Sequence, residues 1–125
     1  MKGMLDCLVV GMGGFIGAVC RYLIGFIPVE ERFIFPVKTF AINIIGSFLI
    51  GVIAALALKN SGVSPKAVLF LKVGLCGGFT TFSSFALETE NLIKGGNPGI
   101  ALLYCVLSVG LGVAAVFAGE RFFFS

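Results

Sequence analysis

Three observations predict an all-α membrane protein of four transmembrane helices with the third helix broken. Four apolar stretches of spanning length fill nearly all of the 125 residues. The linkers between them are short and polar or turn-forming. The third stretch is interrupted by Gly77-Gly78-Phe79-Thr80-Thr81-Phe82-Ser83-Ser84-Phe85. Composition agrees: 58% of the residues are hydrophobic and 12% charged, with a mean hydropathy of +1.11, far above what a water-soluble domain of this size keeps dispersed. One transmembrane domain, 1–125, is expected, with no room for a soluble one.

The predicted spans are 5–26, 37–58, 65–92 and 98–117, each near or above the roughly 20 residues that a bilayer core requires. The first lacks a convincing small-residue cleavage site and is long enough to span, so it reads as a retained helix and not a signal peptide. The second follows a linker carrying Pro28, Glu30, Glu31, Arg32 and Pro36. Lys59-Asn60-Ser61-Gly62 and Lys94-Gly95-Gly96-Asn97 separate the remaining spans. Small residues at helix-packing spacing (Gly13 with Gly17, Ser47 with Gly51, Ser108 with Gly112, Ala115 with Gly119) let helices approach closely. The four cysteines stand singly in apolar stretches and the chain has no histidine, so they read as structural thiols, not zinc or haem ligands.

The break marks a site. Lipid offers no partner to a freed peptide N–H or C=O, so a helix is interrupted at membrane depth only where its backbone faces protein, water or an ion. Two interior glycines cost roughly 1 kcal/mol each relative to alanine. Thr80, Thr81, Ser83 and Ser84 compete for backbone hydrogen bonds. Freed carbonyls suit a hard cation, whereas the start of the following half-helix offers N–H groups to an anion, so both signs stay open locally. Phe82 and Phe85, at i and i+3, share a helix face, and their ring edges carry positive quadrupole character.

Polar residues gather in one half of the membrane. At 1.5 Å per residue, Asn43 and Tyr104 each lie about 9 Å inside their helices, from the same side, while Ser108 is nearer the midplane. Arg21, Phe82, Phe85 and Glu88 occupy that half too. Thr39, Asn43 and Ser47 follow at i, i+4 and i+8 on one face. This is either a polar track or a set of serines and threonines bonding their own backbone, with Asn43 cross-linking helices. Thr81 and Ser84 carry the same two readings. Arg21 and Glu88 read either as a structural ion pair or, for Arg21, as a vestibule that attracts anions.

Orientation is weakly specified. Lys2, Lys59, Lys66 and Arg121 lie at the membrane ends of one side, and Arg21, Arg32, Lys38 and Lys94 at those of the other. Four against four gives almost no positive-inside bias, and Lys72, already within the third span, shifts it only slightly. Either one orientation wins through features this count misses, or the chain inserts both ways and assembles as an antiparallel pair, in which an inverted copy supplies the polar half-track that the other leaflet lacks.

Gly13-Gly14-Phe15-Ile16-Gly17-Ala18 with Arg21-Tyr22, Thr39-Phe40-Ala41-Ile42-Asn43 with Gly46-Ser47-Phe48, and the segment from Gly77 to Phe85 resemble the Fluc/CrcB family of fluoride channels. The resemblance covers essentially the whole chain, and its central segment is the specific part. It implies passive fluoride export by a dual-topology homodimer in the bacterial inner membrane, two parallel pores per dimer, relief of fluoride toxicity, and a sodium ion buried at the dimer centre. The Gly77 and Thr80 carbonyls resemble the family's sodium ligands, Asn43 its pore amide, and Phe82 and Phe85 its pore-lining aromatics. Tyr104 and Ser108 occupy fourth-helix polar positions. Lys38 stands where relatives often have glycine.

A proton-coupled dual-topology exporter is the main rival; it needs an acid within a span, and only Glu88, with Asp6 at an edge, qualifies. A purely structural membrane subunit is the second. An enzyme is the least supported, with no nucleophile–base constellation or P-loop, and nothing points to a nucleic-acid partner.

Overall fold

Residues 2–29, 33–59 and 62–124 are described in the computed structural model. Glu30, Glu31, Arg32, Asn60 and Ser61 of the first two linkers lie outside the described residues. The first span forms helix α1 (Lys2–Ile24) and the second α2 (Val37–Lys59). The third is split into α3 (65–79) and α4 (Phe82–Lys94), and the last forms α5 (Pro98–Phe124). Four helical stretches, counting α3 and α4 as one, are long and apolar enough to cross a membrane. The all-α architecture with a broken third span is therefore present, although helix ends differ from the expected ones by a few residues, and α5 continues beyond 117 through Gly119 and Glu120.

Local chemistry explains where the third span starts and stops. Ser64 caps α3 by accepting from the Ala67 N–H, and Pro65 occupies a first-turn position where its missing N–H costs nothing. At the other end the Gly95 N–H bonds the Asn91 carbonyl, and Gly96 takes a φ of 84° that favours glycine. Leu69–Cys76 winds as a π-helix. No sequence signal announced this, because hydrophobic periodicity cannot separate helical pitches within so short and uniformly apolar a run.

Two glycine seams hold the bundle together. Along the first, α1 meets α3 backbone to backbone: a Cβ on Gly74 would lie 2.9 Å from the Gly13 Cα. Along the second, α2 meets α5, where a Cβ on Gly119 would lie 2.9 Å from the Val52 nitrogen. Side chains are excluded at both contacts, so dispersion between closely packed backbones contributes where lipid leaves little hydrophobic driving force. The buried core is small and lies between α4 and α5, where Leu92, Ala101 and Tyr104 pack with Phe35, Phe40 and Phe85. Elsewhere the helices present large apolar side chains outward, among them Phe15, Leu102 and Phe117. That surface requires lipid or another copy of the chain to cover it.

Candidate functional site

The helical break is narrower than its sequence suggested. Gly77–Phe79 still belongs to α3, and Phe82, Ser83 and Ser84 already form the first turn of α4, leaving only Thr80 and Thr81 extended. The reason is Thr81. Its hydroxyl accepts from the Ser84 N–H at 3.1 Å and caps α4, which restarts the helix at once. Ser84 is thus placed in a cap, while the Thr80 hydroxyl donates back to the Cys76 carbonyl at 2.9 Å. These threonines follow the backbone-bonding alternative.

Asn43 closes the gap from α2. Its Nδ2 donates to the Thr81 carbonyl at 3.1 Å, and its Oδ1 accepts from the Thr81 N–H at 2.8 Å. One side chain therefore satisfies both backbone groups of the residue that the interruption strands at membrane depth. A carboxamide carries two N–H donors, so the second remains for another acceptor. Two carbonyls lose donors in exchange. In a continuous helix Gly77 would accept from the Thr81 N–H and Thr80 from the Ser84 N–H, but these now go to Asn43 and to the Thr81 hydroxyl.

A cavity of about 330 Å³ opens beside the break. Helix α2 lends it Asn43 and Ser47, the break Thr80 and Thr81, and α4 Phe82 and Phe85. From α3 come Lys72 and Gly77, and from α5 Ser108. The Ser108 Oγ is buried and has no hydrogen-bond partner among the described residues. Phe82 is 79% exposed, and its ring centroid lies 5.7 Å from that of Phe85. Residues carrying hydroxyl, amide, aromatic and one ammonium group line this space; among the described residues no carboxylate-bearing one does. Such a wall suits an anion.

The model of the CrcB-like protein, camphor resistance (CrcB) family matches residues 8–120, which include the break and every wall residue just named. The chain belongs to the CrcB family. It is similar to the fluoride-specific ion channel FluC of Chlorobaculum tepidum, at 47% identity over 93% of this chain and 92% of that protein. It is also similar to FluC of Azobacteroides pseudotrichonymphae, at 43% identity over 88% of this chain and 89% of the relative. With FluC of Chlorobium chlorochromatii it shares 45% identity over 90% of this chain and 87% of the relative. Membership and four apolar spans together describe a multi-pass membrane protein.

The remaining expected site residues of this CrcB-family chain lie behind the cavity or beside it. Tyr104 is fully buried behind Phe85, with ring centroids 4.9 Å apart, and is not on the cavity wall. Its hydroxyl donates to Glu88 Oε1 at 2.8 Å, and the Thr39 hydroxyl donates to Oε2 at 2.7 Å. Of the two readings of Arg21 and Glu88, the ion pair between them is not formed. Glu88 is taken up by these two hydroxyls from α2 and α5, while Arg21, on the seam between α1 and α3, donates from Nε to the Gly78 carbonyl at 3.3 Å. Asp6 pairs instead with Lys66. Sequence reasoning did not assign Lys72 or Cys76 to the site. For Lys72 the signal was present, since a lysine within a span faces protein or water as a rule.

Proposed function

We propose that the chain conducts fluoride passively out of bacteria across the inner membrane, as an antiparallel homodimer with two pores. The observation that carries this reading is a donor-lined cavity at the break with no carboxylate among the described residues, in a chain whose relatives bear the name fluoride-specific ion channel. Those names are of channels, and nothing in the site calls for an enzyme. Fluoride holds its water tightly, so passage needs donors that replace hydration without trapping the ion, and several weak sites in succession allow exit. The second Asn43 N–H, the Ser108 hydroxyl and the edges of Phe82 and Phe85 are such donors. Ser47 and Thr81 lie along the same wall. Thr39, Glu88 and Tyr104 hold α4 and the Phe85 ring in place from behind, and Arg21 fixes the end of α3.

A second copy accounts for the site's incompleteness. The cavity lies open along its side at Phe82, and a Cβ built on Gly77 meets nothing within 4 Å. The Gly77 and Thr80 carbonyls, deprived of helical donors, fit a hard monovalent cation. A sodium ion held there by both copies would supply fixed positive charge that ties the two breaks together.

Proteoliposomes test the conduction reading. Purified protein is expected to dissipate a fluoride gradient without a proton gradient while chloride is retained. Strict dependence on proton exchange would favour the carrier, although among the described residues the cavity offers no acid to serve it. Complete fluoride retention would favour a structural subunit. A tandem fusion forced into parallel orientation is expected to be silent, and replacing sodium with a large organic cation during reconstitution is expected to weaken the dimer. A conducting parallel fusion defeats the antiparallel arrangement, and a dimer indifferent to sodium removes the ion.

A further inference from the structure

Lys72 is the one charged residue on the cavity wall among the described residues. It lies seven residues into the third span, about 10 Å from its start at 1.5 Å per residue. An uncompensated ammonium at that depth is unfavourable unless something offsets it. Four other cations are engaged: Arg21 with the Gly78 carbonyl, Lys38 with the Gly25 carbonyl, Lys66 with Asp6 and Lys94 with Glu90. Among the described residues Lys72 has neither a hydrogen bond nor an ion pair, and no carboxylate shares its cavity. On the same wall the buried Ser108 hydroxyl also lacks a partner. The acceptors freed on this wall, the Gly77 and Thr80 carbonyls, are neutral, whereas a small anion would satisfy the unpaired ammonium and the unpaired hydroxyl together.

We propose that Lys72 is the charge that recruits small monovalent anions into the cavity from the membrane face where α3 begins, and delivers them to Ser108 and Asn43. This rests on the conduction reading. Its flexible stem lets the ammonium reach toward that face and swing back without breaking any contact, because it has none to break. Arg21, whose guanidinium is committed to the Gly78 carbonyl, lacks that freedom.

The test measures fluoride efflux from proteoliposomes at a fixed fluoride gradient, with ionic strength set by potassium isethionate. Wild-type flux is expected to fall as the Debye length shortens from about 30 Å near 0.01 M to about 3 Å near 1 M. Lys72→Gln is expected to conduct about ten-fold less at the low end, the bottom of the range that local charge gives to anion capture, and to converge on wild type at the high end. Lys72→Arg should restore the salt dependence. Lys66→Gln, which removes a charge from the same helix but not from the cavity wall, should leave it unchanged. Equal flux with and without the Lys72 charge at every salt concentration overturns the inference and leaves conduction standing. So does a loss in Lys72→Gln that is the same at all salts and is not rescued by arginine. Should Lys72→Gln fail to assemble, a salt-independent wild-type flux overturns it instead. Vesicles that hold fluoride with the wild type defeat the conduction reading first.

Discussion

Two polar regions flank the Phe85 ring, and they differ in one respect. Behind it, Glu88 accepts from both Thr39 and Tyr104. In front of it, Ser108, Lys72 and Asn43 line a cavity that has no carboxylate among the described residues, and the Ser108 hydroxyl has no partner there. The first region is what a membrane interior demands of a polar cluster, since leaving such groups unpaired is costly. The second departs from that rule on a single wall. The contrast separates residues that hold the bundle from residues that hold an ion.

The largest effect is expected at Asn43, which lines the cavity and also clamps the break through Thr81. Asn43→Leu removes the clamp on both backbone groups of Thr81 as well as a cavity donor, each orphaned group costing about 1–3 kcal/mol. Fluoride flux should vanish while the dimer persists on size exclusion, and a fully active variant would take Asn43 out of the pathway. A matched pair then sharpens the contrast. Tyr104→Phe deletes one hydrogen bond to a charged group and should lower stability by about 1.5–3 kcal/mol in denaturant titrations, with flux changing only a few-fold. Ser108→Ala deletes a buried hydroxyl that has no partner among the described residues, so stability should hold or rise, by up to about 1–3 kcal/mol. Its flux is nevertheless expected to drop measurably. If Ser108→Ala is the less stable variant and conducts normally, the division between the two regions fails.

The four spans were legible because lipid imposes one simple rule on hydropathy and length. The location of the break was legible for a related reason: Gly77, Gly78 and the hydroxyl residues after them oppose a continuous helix. Its width was not, since nothing local distinguishes Thr81 as the residue that caps α4 from its neighbours Thr80 and Ser83. Long-range partners were hidden as well. The cost of burying charge offered Arg21 as one possible partner for Glu88, but the rotation of each helix about its axis decides which groups meet, and it brought two hydroxyls. For Asn43 the sequence offered a pathway amide or a cross-link. The structure makes the cross-link and leaves a donor over, so the two alternatives are not exclusive.

The clamp on Thr81 also bears on how the chain is built. A translating ribosome releases Asn43 before Thr81, so the receiver of the stranded peptide groups is already in the bilayer when they arrive. Glu88 is less fortunate, because Thr39 precedes it but Tyr104 follows, and its carboxylate waits half-partnered until the last helix emerges. Biogenesis thus has a vulnerable interval between the third and fourth insertions. Glycosylation mapping of chains truncated in that interval should find the third segment poorly inserted, and more so in Asn43→Leu; efficient insertion of both would show that the order of synthesis does not matter.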